Sequence, residues 1–542
     1  DLEVELPQIL VKVGAVDAEE KPCTKTEGCT LPDGHEGECA LVLPPVNALV
    51  KTITGWTFVD DGYLNEGELV LPGVSADNPV DFDTVVLMLP TAIHAEIEGA
   101  QPEEIGVGWT CGAFRQDEDG SWPVAGSYTF MAELPEGYAC DPLPAVRVLL
   151  GGADLEAEYG GLTIEGGGVM QEADGQIILG SGSYTISGEW NGALNDVSAE
   201  NKKAVLTVPS GVDATVKFDG VKIDVSGERF ASAFAVGGEA HIIFSGADNR
   251  LASGYYRAGL EVPENAECTI TGGSSDTLTA TGGYYSAGIG GGENGSGGTI
   301  IISGGTVTAN GGSGFGGGGA GIGGGYRRSG GTITISGGTV TANGGAGSSG
   351  GGGGGGIGGG MSGDGGTIEI SGGTVNATGR DNGAGIGGGG GIVSNDGGGG
   401  GNINITGGVV TATGDAKGAG IGGGGTEEGS GGSAGTIVIN GNTVVFAATG
   451  NNGVPIGGGG NNTNNGEKSG ILTGGVIFEG TEGTVYGSSS LPEDLKISNG
   501  STLTVPNGSS LTIPDNTTLT NNGTLDNYGT IDGNGSITHN GT

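Results

Sequence analysis

One phrase recurs through residues 287–460 and restricts the possible folds more than any other feature of the chain. It reads Ala287-Gly-Ile289-Gly-Gly-Gly, then a polar loop, then Gly298-Thr-Ile-Ile-Ile302-Ser-Gly-Gly-Thr-Val307-Thr-Ala309. It returns at Ile322, Ile357, Ile386, Ile421 and Ile456; all but one step is 33 to 35 residues, and the short one is 29. A fixed period of this length is the mark of a stacked repeat. With 128 glycines in 542 residues, composition alone would suit a flexible linker. The phase of the apolar residues argues otherwise. In Thr332-Ile-Thr-Ile335 and Thr339-Val-Thr-Ala342 apolar and hydroxyl side chains alternate, the period of a strand with one buried face. Gly-Gly pairs mark the corners, where the chain needs positive φ.

Three short strands per repeat, IxI, VxA and AGI, describe one coil of a parallel β-solenoid, in which each coil hydrogen-bonds to the next. Ile289, Ile322, Ile357 and Ile386 are expected to form one interior ladder and Val307, Val340, Val375 and Val410 another. Tyr255-Tyr-Arg-Ala-Gly-Leu260 matches Tyr284-Tyr-Ser-Ala-Gly-Ile289, which carries the coils back at least to Phe234. After residue 487 the period contracts to near-octads such as Ser501-Thr-Leu-Thr-Val-Pro-Asn-Gly, read as a tapering end with polar ladders.

Earlier segments read differently. Short apolar runs between turns from 46 to 152, among them Trp56-Thr-Phe58, Val85-Val-Leu-Met-Leu89 and Tyr128-Thr-Phe130, suggest an immunoglobulin-like β-sandwich bridged by Cys111 and Cys140. Cys23, Cys29, His35 and Cys39 form a compact set. It reads as a disulfide staple beside a surface histidine, with zinc held by three thiolates and an imidazole as the minority alternative. Cys268 is either the third cysteine's partner or a buried thiol. The expected organisation is 1–14 as the last strand of a preceding module, 15–45 as a linker with the cysteine cluster, and 46–152 as the sandwich. A β-helix then fills 153–542, with glycine-rich repeats at 287–460 and tapering coils at 487–542. Leu6-Pro-Gln-Ile-Leu-Val-Lys-Val13 echoes Leu143-Pro-Ala-Val-Arg-Val-Leu-Leu150, so the chain is expected to be a monomeric piece of a longer modular protein.

The net charge of −43 repels nucleic acid and anionic lipid. No run of about twenty apolar residues is present, so membrane insertion is not expected. Cationic partners, divalent metals and neutral glycans remain open; no cofactor is expected, with calcium kept as an alternative beside the zinc reading of the cysteine cluster.

Together, GGTIxISGGTVxAxGGxxGAGIGGG, CTKTEGCTLPDGHEGEC and SYTFMAELPEGY resemble the large modular, adhesin-like surface proteins of Gram-positive, often gut-dwelling, bacteria. The resemblance implies right-handed β-helices beside immunoglobulin-like modules, an extracellular place on the cell wall or in secretion, and glycan or host glycoprotein as partner. Related carbohydrate-binding β-helices hold acidic polysaccharide, sometimes with calcium; the few acids in these repeats depart from that pattern.

A solenoid displays function in rows, because equivalent positions stack about 4.8 Å apart. One row precedes the AGI strand: Tyr255, Tyr256 and Arg257, Tyr284 and Tyr285, Phe315, Asp381, Lys417. A second follows IGGG: Glu293 and Asn294, Tyr326, Arg327 and Arg328, Met361 and Asp364, Asn395 and Asp396, Glu427 and Glu428, Asn461 and Asn462. Tyrosine faces one coil apart suit sugar rings, and they equally suit plain stacking of a parallel sheet. Variable loops on a constant scaffold suit binding, and equally suit solvated tips. The leading expectation is a non-enzymatic glycan-binding surface module. The rivals are a polysaccharide-cleaving enzyme using Asp364 with Asp396 or Asp381 with Asp415, and a purely structural stalk.

Overall fold

The computed structural model describes residues 51–542 apart from 60–63, 65–67, 72–73, 75–79, 113, 117–121, 123–125, 141, 151–156, 167–168, 172–174, 196, 199–200, 349–350 and 393–394. The segments 1–14 and 15–45, with Cys23, Cys29, His35 and Cys39, lie outside the described residues.

Between 51 and 150 the chain forms two four-stranded sheets. One orders 103–106, 92–97, 51–58 and 138–140; the other orders 68–71, 145–150, 126–133 and 108–110. Phe58 and Val107 pack against the apolar clusters of both. Val85 to Leu89, expected as a strand, instead lies in and just after a short helix, Phe82–Val86. The Asp81 carboxylate accepts from the Thr84 amide at 2.7 Å and starts the turn. Val85 and Leu89, four apart, are buried while Leu87 between them is exposed. A continuous apolar run carries no period to distinguish the two cases. The expected Cys111–Cys140 bridge is corrected. Cys111 follows the 108–110 strand of one sheet, Cys140 lies on 138–140 of the other, and the Cys140 thiol donates to the Pro142 carbonyl at 3.2 Å.

From 157 to 486 the chain is a three-sided β-solenoid. Its first side stacks strands 267–272, 299–302, 332–335 and 367–370, then the leading halves of 402–413 and 436–448. The second side stacks 277–281, 306–310, 339–343 and 374–378 before the trailing halves of those two long strands. The third stacks two-residue strands at Leu260, Ile289, Ile322, Ile357, Ile386, Ile421 and Ile456. Inward residues fall in register: Ile300 on Ile333 on Ile368, Val307 on Val340 on Val375, and the third-side isoleucines on one another. All are fully buried in one continuous core. Each large side chain so buried is worth about 1.5–3 kcal/mol, available only because a neighbouring coil covers it.

The third-side column runs back through Phe234 and Leu206 to Ile177. Antiparallel pairs, 162–165 on 182–189 and 169–171 on 177–179, occupy that end. Cys268 is a rung of the first-side ladder between Ala240 and Ile300; it is a buried thiol, and burial pushes its pKa up. At 475–479 and 482–486 the chain folds back in an antiparallel hairpin. Smaller three-sided coils follow, whose sheets join 482–486, 502–505 and 524–527; 488–490, 510–512 and 530–532; and 495–497, 518–521 and 536–539. Their core, including Leu503, Leu511 and Leu519, is a second cluster that also takes in Val476 and Phe478 of the hairpin and Val444 of the last long strand.

Candidate functional site

The two rows read separately in the sequence form one layer. The loop after IGGG folds back across the third side and hydrogen-bonds to the segment before AGI one coil earlier. Amide donors and carbonyl acceptors pair as Glu293 with Tyr256, Tyr326 with Tyr285, Met361 with Gly318, Gly390 with Gly353, Gly425 with Asn382 and Gly460 with Lys417, all at 2.7–3.0 Å. Each third-side strand is therefore sandwiched between the core and a roof of backbone. This explains the glycine. A Cβ at Gly319 would lie 2.2 Å from the Ser286 carbonyl oxygen, and one at Gly389 would lie 1.9 Å from that of Gly360. The glycine after each isoleucine adds a conformational demand: Gly290, Gly323 and Gly358 all have φ near +130°.

The roof carries nearly all of the variable chemistry. Among the described strands between 287 and 450, Glu369 is the only charged side chain. At the N-terminal end of the glycine-rich coils the roof is aromatic. Tyr255 and Tyr284 stack with ring centroids 4.2 Å apart and planes 4° from parallel; Tyr256 and Tyr285 stack at 6.0 Å and 3°. Phe230 continues the second stack at 5.1 Å, with the Arg229 guanidinium over both it and Tyr256. Tyr326 meets Tyr285 edge-on at 5.2 Å, and Arg327 lies over the Tyr326 ring. Tyr256 and Tyr285 hold left-handed backbone, φ 74° and 70°, at a turn position that Asn382 fills in a later coil, also at 70°. For bulky residues that conformation costs about 1–2 kcal/mol each, and such outliers persist where the surroundings enforce them. A hydrogen bond with Tyr255 raises the Tyr284 pKa.

Both stacks stop at the next coil, where Ser313 and Gly314 replace the tyrosines. A Cβ at Gly314 would lie 2.4 Å from the Tyr285 ring, so that face is covered. Tyr284 remains 39% exposed, and Phe315 beside this step is 75% exposed. Arg257 is not part of the exposed display. Its buried guanidinium pairs with Glu261 and donates to the carbonyls of Lys203 and Phe230.

The four acids considered for catalysis serve as ties between coils. Asp364 accepts from the Gly399 amide and Asp396 from the Ser430 amide, both one coil ahead at 2.7 Å. Asp381 accepts from Gly347 at 2.7 Å and Asp415 from the Asp381 amide at 2.8 Å, both one coil back. Asp381 is half-buried, and that burial raises its pKa against the opposing Gly347 hydrogen bond. Met361, expected at a loop tip, is fully buried beneath the roof against Gly317 and Gly352, since their missing side chains leave a slot for it. Lys417 and Glu427 pair at 2.8 Å, and Asn462 donates to Glu427 at 3.2 Å; the lysine hydrogen bond lowers the Glu427 pKa. Glu428, Arg327 and Arg328 are exposed.

An open groove of about 410 Å³ lies at the corner between the third and first sides, lined by Glu264, Asn265, Ser296, Thr299, Ser329, Thr332 and Thr367. Its residues come from four coils, and only the stacking brings them together. No single stretch of sequence carries it.

Three segments, 269–293, 368–390 and 403–425, match the family model described as beta helix repeat. Each begins on a first-side strand, crosses the second side and ends just after the third-side strand, so the matched unit is one coil without its variable loop. No curated protein and no solved structure matches the chain. Among the described residues no helix is long and apolar enough to cross a membrane.

Proposed function

We propose that this chain is a non-enzymatic, adhesin-like surface module of a Gram-positive bacterium. In this reading it is exported to the cell wall or secreted, spaced by immunoglobulin-like sheets at 51–150, and binds glycan or glycoprotein on the roof of its third side. The observation that carries the reading is the aromatic step. Tyr255 stacks on Tyr284 and Tyr256 on Tyr285 across consecutive coils, and the Tyr284 ring that ends the first stack stays half-open, with Phe315 of the following coil exposed. An aromatic face next to hydroxyls and a guanidinium suits a sugar ring, whose C–H face is apolar and whose rim is polar. The commitment of Asp364, Asp381, Asp396 and Asp415 to backbone amides favours binding over hydrolysis.

The test is a glycan array and mucin retention assay on the full chain, repeated with Tyr284→Ala and Phe315→Ala. Retention of at least one glycan class, reduced at least tenfold by Tyr284→Ala while circular dichroism is unchanged, is the expected result. Retention indifferent to both substitutions removes the aromatic step as the site. Release of reducing ends from a polysaccharide panel, abolished by Asp364→Ala or Asp396→Ala, favours the enzyme instead.

A further inference from the structure

Outside the roof, three side chains of the early coils converge on one point of the surface. Asp213 and Glu239 are register partners at the start of consecutive first-side strands, and His241 lies two residues beyond Glu239 on the same outward face. One ligand atom from each falls within 4.8 Å of the other two. The His241 Nε2 is 3.4 Å from Asp213 Oδ1 and 3.2 Å from Glu239 Oε1.

These distances do not describe a good hydrogen-bonded pair. Charge-assisted N–H to carboxylate bonds run about 2.7–2.9 Å, and the single proton on Nε2 can point at only one of the two oxygens. They do match two edges of a coordination shell. Oxygen and nitrogen ligands at about 2.0–2.2 Å from a tetrahedral centre stand roughly 3.3–3.5 Å apart.

The fold holds the three in place from beneath. Ala214 and Ala240, then Val216 and Ile242, alternate with the ligand positions and are fully buried in register, so the outward residues cannot slip relative to one another. In the next coil Glu267 pairs with Glu239, extending the column to three carboxylates. Like charges directly opposite each other destabilise a sheet, and a divalent cation would remove that repulsion.

We propose that Asp213, Glu239 and His241 form a surface site for a divalent transition-metal ion of the zinc class. An imidazole with two carboxylates and no thiolate suits zinc, whereas calcium and magnesium favour more numerous oxygen ligands. Three protein ligands leave one position for water or for a group on another molecule.

The test uses the full chain carrying C23S, C29S and C39S, so that the cysteine cluster offers no thiolate. The metal-free protein is titrated with zinc chloride by calorimetry while the histidine ring resonances are followed by NMR. One equivalent of zinc that shifts the His241 ring, with affinity weakened at least tenfold by His241→Ala and by Asp213→Asn, is the expected result; Thr215→Ala, a neighbour on the same face, should leave it unchanged. A His241 ring indifferent to zinc overturns the proposal. So does zinc affinity that survives both substitutions, or saturation by calcium at lower concentration than zinc.

Discussion

In the coils between 287 and 460 the interior is filled by three isoleucines, a valine and an alanine per turn, and one side of the triangle is a two-residue strand buried beneath a backbone roof. In the coils after 482 each side is a three- to five-residue strand whose inward positions are mostly leucine, isoleucine or valine, joined by buried Ser489 and Asn521, while most other asparagine, serine and threonine lie at corners and outward positions. Both are three-sided solenoids that use glycine in two ways, in different proportions. Gly389 sits where a Cβ would strike a carbonyl oxygen, without needing positive φ; Gly500 has open space around it and φ +81°. Crowded glycines such as Gly523, where a Cβ would lie 2.2 Å from a carbonyl oxygen, occur in the later coils too, but only the glycine-rich coils use them to seat a second layer of main chain over one side.

The largest expected effect comes from the interior. Ile357→Ala should destabilise the solenoid by about 2–5 kcal/mol, because the surrounding glycine backbone offers no side chain to collapse into the cavity. Leu511→Ala should cost a similar amount, but with hydrogen exchange accelerated mainly after about residue 440, since Leu511 belongs to a second core cluster that reaches back to Val444. Uniform acceleration in both variants would make the two regions one cooperative unit. A sharper contrast lies in the glycines. Gly389→Ala is expected to cost about 3 kcal/mol by overpacking, and Gly500→Ala about 1 kcal/mol for the left-handed backbone alone. Denaturant titrations showing the reverse order would sink the two-layer account.

Smaller effects concern charges of the roof. The Glu427 pKa is lowered from 4.5 by Lys417, so this pair stabilises the fold above the unfolded value and loses that contribution as pH falls through the folded one. Glu427→Gln should therefore cost up to about 1 kcal/mol at pH 7, with the difference vanishing in acid. Asp381 runs the other way. Its pKa is raised from 3.8, so its ionised form opposes folding once pH exceeds the folded value. Asp381→Asn should be neutral to mildly stabilising at pH 7, losing any advantage at low pH; thermal melts across pH 3–7 check both signs. Asn343→Ala, which removes the outward hydrogen bond from Asn343 to Asn310, should likewise cost no more than about 1 kcal/mol.

Several elements were legible because their pattern is local. Period-two alternation named the inward isoleucines and valines, and the repeat length placed them in register, as Ile289 on Ile322 on Ile357 confirms. The run Val85 to Leu89 was misread because an unbroken apolar stretch suits helix and strand alike, and the Asp81 cap decided it. Met361 was misplaced because its burial depends on glycines 44 and 9 residues away, at 317 and 352. The metal-ligand trio was missed because Asp213 and Glu239 are 26 residues apart in a region without the glycine-rich phrase.

By itself the sequence determined the coil: its period, its three strands, which side chains face inward, and that like stacks on like. Those properties follow from alternation and spacing along one chain, and any register that buries the apolar set must reproduce them. Only the tertiary structure decided that the two variable rows are one roof, that the aspartates in it are ties between coils, and which tyrosine face stays open. These depend on how a loop of one coil lies over the coil before it, a relation set by backbone hydrogen bonds between residues about 40 positions apart, to which side-chain identity contributes mainly by its absence.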